Sequence, residues 1–331
     1  MPADLAVLRT ADADAAARFF AEADPEELVR AVSETSDADL LELIGRDPVR
    51  PAAVEGILAR LHEFSLPDRV ARLRGVVRFD LDRRGTVLER HALSFADGEM
   101  TLVPDADTDL LADVVLRTSL LRFVRLVSGE YNAGLEYLAG GLDIDGDADL
   151  ALGVGGIFKV PGTGSVAVDP RDLDPVEVAT VLGSVKGAHL KKVMRSGFRQ
   201  VVLSEIFRRL PDFVNPARAA KLDICVGFRL TGNPSGEVER YVVRIERGVT
   251  SVVGGDAGGA GDGRGDGDAG GARDSGEARD ATVTCEGHDF LRLATGHLNP
   301  VLGVLKGTLK VKGDKGKALQ LSGAIDIPQA R

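Results

Sequence analysis

Tryptophan is absent from this chain, and aromatic residues make up only 5% of it. Base stacking, on which single-stranded nucleic-acid binding depends, therefore has few platforms to use. Basic charge is also short. The 41 Lys and Arg against 51 Asp and Glu leave a formal net charge of −10, the wrong sign for a broad phosphate-binding face. No uncharged apolar run approaches the roughly 18–20 residues that a membrane-spanning helix needs. The opening stretch, MPADLAVLRTADADAAARFF, carries acids early and lacks the apolar core of a secretory signal. Only two cysteines, Cys225 and Cys285, occur in 331 residues, which suits a reducing, cytoplasmic setting better than a disulfide framework. The patterns G-x-S-x-G, H-E-x-x-H, C-x-x-C and the P-loop are all missing, so the motif-borne routes to hydrolysis, zinc chemistry, dithiol exchange and nucleotide binding have no foothold.

What the chain does contain is a copy of itself. Residues 49–64, VRPAAVEGILARLHEF, match 198–213, FRQVVLSEIFRRLPDF, at a constant offset of 149, with Arg50/Arg199, Ile57/Ile206, Arg60/Arg209, Leu61/Leu210 and Phe64/Phe213 coinciding. The offset continues through Leu73/Leu222, Val77/Val226, Phe79/Phe228 and Leu81/Leu230. Further on it becomes 167, where SGEYNAGLEYLAGGLDIDGDADLALGVGG (128–156) lies over TGHLNPVLGVLKGTLKVKGDKGKALQLSG (295–323) with 11 of 29 pairs identical. Such internal periodicity signals a repeated structural unit.

The duplication disposes of one tempting motif. The aspartates at 143, 145, 147 and 149 suggest a calcium loop. Yet the sixth residue from Asp143 is Ala148 and the twelfth is Val154, where such a loop needs Gly and Glu. The second copy replaces Asp143 and Asp145 with Lys310 and Lys312 and keeps only the Gly-Asp pair, as Gly313-Asp314. The stretch reads as a strand with a solvated charged face, followed by a turn.

Each copy reads as a helical preamble (24–45 and 175–195) opened by Asp24-Pro25 or Asp174-Pro175, then an amphipathic helix (52–63 and 201–211). Three strands follow, at 221–230, 237–246 and 249–253 in the second copy, and a fourth at 112–117 and 280–285. Two short helices come next. The first closes at Gly129 or Gly296; the second is capped by Asn132 or Asn299 and stopped by Gly140 or Gly307, with Leu135, Leu138, Leu302 and Leu305 expected to face inward. Grouped helices and strands of this kind predict an α+β fold in two similar domains. Between the third and fourth strands the second copy carries a 17-residue insertion within 254–280, a stretch with eleven glycines and almost no apolar side chains, which predicts disorder. Its GDGDAG (265–270) and Arg264-Gly265-Asp266 lack the strand and helix that would give such motifs meaning.

None of the five histidines (His62, His91, His189, His288 and His297) has a histidine at the matching position of the other copy. A duplicated metal or acid–base site is therefore not expected, and no cofactor is implied. Cys225 and Cys285 fall on strands and read as small buried residues.

The stretch FLRLATGHLNPVLGVLKGTLKVKGD, with PDFVNPARAAKLDICVGFRLTG and ERYVVRIERG before it, resembles the sterol carrier protein-2 family. The first copy's RFVRLVSGEYNAGLEYLAGGLDIDGD resembles it more weakly, keeping Gly129, Asn132, Leu138, Gly140 and Gly146 but losing the lysines. The resemblance covers 50–158 and 199–325. It implies two domains, each a five-stranded, largely antiparallel sheet covered by helices, with an apolar tunnel between sheet and helices that holds sterols, fatty acyl chains or similar lipids. The residues themselves offer no positive sign of an enzyme, so non-catalytic binding and transfer of lipids is expected. The resulting layout is an N-terminal extension (1–23), a first domain with its preamble (24–158), a linker (159–173) and a second domain (174–327) carrying the insertion at about 254–280.

A ligand-sized cavity of roughly 300–500 Å³, left empty at about 24 cal/mol per Å³, costs on the order of 7–12 kcal/mol, comparable to a whole domain's stability of about 5–15 kcal/mol. Either ligand fills such a space or side chains close it. The alternative is thus a structural or interaction protein with closed cavities. Candidate lining residues are those apolar in both copies: Phe64, Phe123, Leu126, Leu135 and Leu138, with Phe213, Phe290, Leu293, Leu302 and Leu305. The second copy also presents Lys306, Lys310, Lys312, Lys315 and Lys317 where the first has Ala139, Asp143, Asp145, Ala148 and Leu150. An anionic membrane surface is a candidate partner for those lysines.

Overall fold

Alternation places the strands. In Gly75–Arg83 (β1) the side chains of Val77, Phe79 and Leu81 are buried on one face, while Arg78, Asp80 and Asp82 line the other. A two-residue turn with both φ values positive, Arg84 (55°) and Gly85 (82°), leads into Thr86–Ala96 (β2). Asp97-Gly98 (54° and 86°) does the same before Glu99–Val103 (β3). Such turns match the twist of a hairpin and favour glycine at the second position. Val114–Ser119 (β4) then lies parallel to β1 on its far side, and Leu142–Gly146 (β5) pairs antiparallel with β4, giving the order β3-β2-β1-β4-β5.

The computed structural model describes residues 3–103, 111–159, 168–254 and 279–328. Most of the Gly/Asp-rich insertion, including both false motifs, lies outside the described residues, as do 160–167 of the expected linker. The chain divides into two units, Met1–Leu173 and Asp174–Arg331. The second unit repeats the sheet with Asp223–Thr231 (β6), Glu239–Glu246 (β7), Val249–Gly254 (β8), Ala281–Glu286 (β9) and Lys310–Gly313 (β10), in the order β8-β7-β6-β9-β10. Again the β6–β9 pair is the parallel one. Both sheets are therefore mixed, with one parallel pair at the centre, and the fold is α+β twice over.

Each preamble is two helices rather than one. Pro25–Glu34 is capped by Asp24 and Asp37–Ile44 by Ser36; Pro175–Ser184 and Gly187–Val193 correspond to them. The helix that covers the sheet is Arg50–Arg60 in the first unit and Arg199–Arg209 in the second. Residues of the expected N-terminal extension form a short 3-10 turn (Leu5–Arg9) and the Ala13–Glu22 helix, and Leu5, Leu8, Ala16 and Phe20 join the core of the first unit. Phe20 seats against Gly56, where an added Cβ would lie 2.6 Å from the Phe20 Cβ.

The turn expected after the last strand is the start of a further helix in each unit, Ala148–Ile157 and Lys315–Ala324. Three glycines in the first (Gly153, Gly155 and Gly156) hide it from propensity rules. Packing overrides them: at Gly153 the backbone closes onto Leu73. This explains the Gly-Asp pair that survives in both copies. Gly146 (φ 107°) and Gly313 (φ 91°) have their Cα pressed against the carbonyl oxygens of Asp113 and Asp280. Asp147 and Asp314 accept hydrogen bonds from the next helix's first N–H groups. The residue after each helix returns to bridge Ser65 (from Phe158) or Val214 (from Ile325), closing the unit.

Gly313→Ala is expected to destabilise the second domain by about 2 kcal/mol or more, combining positive-φ strain with a clash. Gly307→Ala, also at positive φ but with nothing within 4 Å of the new Cβ, is expected to cost only about 1–2 kcal/mol. Urea unfolding of the two variants reads the difference, and equal costs would contradict the close-approach argument.

Candidate lipid-binding layer

The inner face of each sheet and its covering helices enclose an apolar layer. In the first unit it is built from Val77, Phe79 and Leu81 of β1, Leu93 and Phe95 of β2, Val54 and Leu58 of the covering helix, and Phe123 of the Leu120–Val127 helix. Phe79 and Phe123 meet edge to face at 6.0 Å. The second unit is more aromatic. Phe207 of the covering helix stacks on Tyr241 of β7 at 3.8 Å and on Phe290 of the Gly287–Ala294 helix at 4.9 Å, with Phe228 of β6 edge-on to both phenylalanines. At the corresponding positions the first unit has Leu58, Phe79, His91 and Phe123. The strand registers confirm the correspondence, because Phe79 pairs with His91 as Phe228 pairs with Tyr241.

One polar feature crosses this layer in both units. Arg199, only 4% exposed, sends Nε and Nη2 to the two carboxylate oxygens of Glu239 at 2.7 and 2.8 Å. Its remaining donors go to the carbonyls of Met194 and Thr231. In the first unit Arg50 Nε donates to Glu89 at 2.7 Å, and His91 Nε2 lies 3.2 Å from the other Glu89 oxygen. Burial alone would raise both carboxyls. The hydrogen bonds from Arg199 and Asn233 to Glu239, and from His91 and Arg50 to Glu89, win and hold them below the ordinary glutamate range. The recurrence of Arg50 and Arg199 at matching positions of the two copies is the sequence signal that could have pointed to the bridge. Its glutamate partner carries no such mark, since glutamates are frequent and the pairing spans 40 residues.

The ten predicted lining residues separate into three groups. Phe123, Leu138 and Phe290 are buried. Phe64, Leu126, Leu135, Phe213 and Leu293 are half-buried. Phe64 and Phe213 sit where the chain bonds back to the end of the terminal helix, their carbonyls accepting from the N–H of Lys159 and Asp326. Leu302 and Leu305, expected to face inward, are 51% and 76% exposed. Gly303 seats their helix on Leu309, with an added Cβ falling 2.8 Å from that side chain, and turns Leu305 outward. Phe207, Phe228 and Tyr241 were not among the predicted residues, although they and Phe290 form the centre of the second layer.

The other candidate groups have ordinary explanations. Asp143 and Asp145 face Arg117 on the neighbouring strand, at 3.9 and 3.1 Å. Among the described residues no cluster of His, Cys, Asp or Glu has the geometry to hold a metal ion. Cys225 and Cys285 are buried free thiols. Burial, then the neighbouring Asp289 carboxylate, pushes Cys285 up to about 12, so it carries almost no thiolate near neutrality. His288 has carboxylates on both sides, Glu286 at 3.3 Å and Asp289 at 3.6 Å. Among the described residues no helix is long and apolar enough to cross a membrane.

Each unit is thus a small mixed sheet with an apolar inner face under short helices, an α+β domain. The model of the SCP-2 sterol transfer family matches residues 54–159 and 203–326. The chain belongs to that family and carries its domain twice. Among solved structures it is similar to apo sterol carrier protein 2 from Yarrowia lipolytica, with 20% identity over 44% of this chain and 93% of that one, TM-score 0.23. It is similar also to palmitated SCP2L2 from Aedes aegypti, with 19% identity over 40% and 97%, TM-score 0.28. A third similar structure is the inverting sec-alkylsulfatase Pisa1 from Pseudomonas sp., with 14% identity and TM-score 0.29; the match takes in 48% of this chain and spans 25% of that enzyme's length. No curated protein matches the chain.

Glu239→Gln is expected to cost the second domain about 3–5 kcal/mol, because Arg199 is left buried without its counter-ion. The depressed carboxyl contributes stability that is complete above the unfolded glutamate pKa of about 4.3 and is lost as pH falls through the lower folded value. The gap between parent and variant in urea midpoint should therefore be full at neutral pH and close on acidification below about pH 4.3. A gap independent of pH would overturn the assignment.

Proposed function

We propose that the two domains bind lipids non-catalytically, holding a sterol, fatty acyl chain or similar apolar ligand between the inner sheet face and the covering helices. Membership of a sterol transfer family, present in duplicate, is the observation that carries this reading. The apolar layer supports it, with Phe123 and Phe290 within it; Phe64, Leu126, Leu135, Leu138, Phe213 and Leu293, buried or half-buried, are proposed to line it with them. No cofactor enters the reading, and the protonated Cys285 offers no nucleophile.

The two layers are proposed to differ in capacity. Phe207 and Tyr241, stacked at 3.8 Å, occupy the second layer where the first has the smaller Leu58 and His91. A ligand entering the second domain must separate rings that already satisfy each other; one entering the first need not. The first domain is thus the stronger binder. The aromatic stack favours a closed interior in the second domain, as in a structural module.

Displacement of a fluorescent fatty acid, together with native mass spectrometry of gently purified protein, tests this. Leu58→Phe with His91→Tyr is expected to weaken binding about tenfold or more, equivalent to about 1.4 kcal/mol. Phe207→Leu with Tyr241→His should strengthen it. Absence of copurified lipid together with no displacement by sterols or fatty acids at micromolar concentration would sink the carrier reading.

A further inference from the structure

Ten large hydrophobic side chains are exposed among the described residues, and three of them, Val301, Leu302 and Leu305, share the six-residue Pro300–Leu305 helix at 50%, 51% and 76% exposure. Their common direction follows from Gly303. At about 100° per residue, Val301 and Leu305 lie opposite the buried Gly303, which is pressed onto Leu309. Basic side chains follow this apolar helix in the chain. Lys306 ends the helix, Lys310 and Lys312 project from alternate positions of the edge strand β10, and Lys315 opens the terminal helix. All four are exposed and none has an ion-pair partner among the described residues. The fifth lysine, Lys317, instead donates to the Asp223 carbonyl.

The first domain shows the same place without the feature. There Gly134 and Leu135 lie at the positions of Val301 and Leu302, and the side chain of Leu173 covers Gly134 at 3.3 Å from an added Cβ. Leu138, matching Leu305, is buried. Asp143 and Asp145 stand where Lys310 and Lys312 are. One copy has covered this corner and made it acidic; the other has left it apolar and made it basic, within a chain whose net charge is −10. Overall charge does not account for the lysines.

We propose that this corner of the second domain docks on an anionic phospholipid bilayer, with Val301, Leu302 and Leu305 entering the interfacial hydrocarbon while Lys306, Lys310, Lys312 and Lys315 meet lipid phosphates and carboxylates. Exposed apolar side chains on one short helix, with exposed lysines on its last turn and on the edge strand that follows, match the two layers of such a surface, greasy below and negative at the level of the headgroups. The lysines alone would suit any polyanion, but the exposed leucines select a partner that offers apolar depth. The docking surface does not rest on the ligand-binding reading, since it uses residues outside the enclosed layer.

The test uses the full chain and large vesicles of phosphatidylcholine with or without phosphatidylserine, read by co-sedimentation. Partition onto the serine-containing vesicles and not onto pure phosphatidylcholine is expected, weakening with salt. Leu305→Glu should reduce partition by about tenfold or more, and each lysine-to-glutamine change at 306, 310, 312 or 315 by roughly fivefold. Val249→Ser and Val253→Ser, on β8 at the opposite edge of the sheet, should leave it unchanged. Because the chain lacks tryptophan, Leu305→Trp gives a single reporter whose emission should shift blue on vesicle addition. No partition onto either vesicle, or partition indifferent to Leu305→Glu, overturns the proposal. Binding to soluble polyglutamate without binding to vesicles also overturns it, in favour of an acidic protein partner. Vesicle binding with no ligand uptake would sink the carrier reading and leave the docking surface standing.

Discussion

In each domain an arginine on the covering helix, fully buried in the second and half-buried in the first, is held by a buried or half-buried glutamate on the second strand. Neither charge tolerates the interior alone, so the pair forms only where both side chains meet. A guanidinium fork accepts a carboxylate in few orientations, which leaves the helix little freedom to slide or turn over the sheet. In the second domain Arg199 also holds the carbonyls of Met194 and Thr231, so one side chain joins the preamble, the end of β6 and the start of β7.

On this shared frame the two copies have diverged in three places that bear on function. Inside, Leu58 and His91 oppose the stacked pair Phe207 and Tyr241. On the back of the covering helix, Gly56 admits Phe20 in the first domain, where the second has Glu205 paired with Arg208 and Arg209. At the edge strand, aspartates facing Arg117 in one copy are lysines in the other, without ion-pair partners among the described residues. Each change alters a surface or an interior while sparing the Arg–Glu bridge and the Gly-Asp turn. Duplication frees one copy to vary only where the frame is not at stake, and the two invariant devices mark where it is.

The strands were legible from local pattern, since alternation depends on neighbours in the chain. The terminal helices were not, because Gly153, Gly155 and Gly156 lower local helix preference and only contact with Leu73 compensates. The inward orientation expected for Leu302 and Leu305 failed for a similar reason. Their spacing is that of an inward face, but Gly303 offers the closer seat on Leu309. Of the aromatic layer, Phe123 and Phe290 could be named because both copies are apolar there. Phe207, matched by Leu58, meets that criterion too but was not singled out, and Tyr241 fails it because the first copy has His91.

Read alone, the order of residues establishes that the chain is one fold used twice, that the Asp-rich stretch is a strand and turn, and that the second copy is the more basic at its edge. These are statements about pattern, and comparing the chain with itself is enough to make them. Which rings stack and which glutamate neutralises the buried arginine depend on residues brought together from distant parts of the chain, 40 positions apart for Arg199 and Glu239. No local preference encodes such meetings. They emerge when the covering helix settles on the sheet and every buried charge has found its partner.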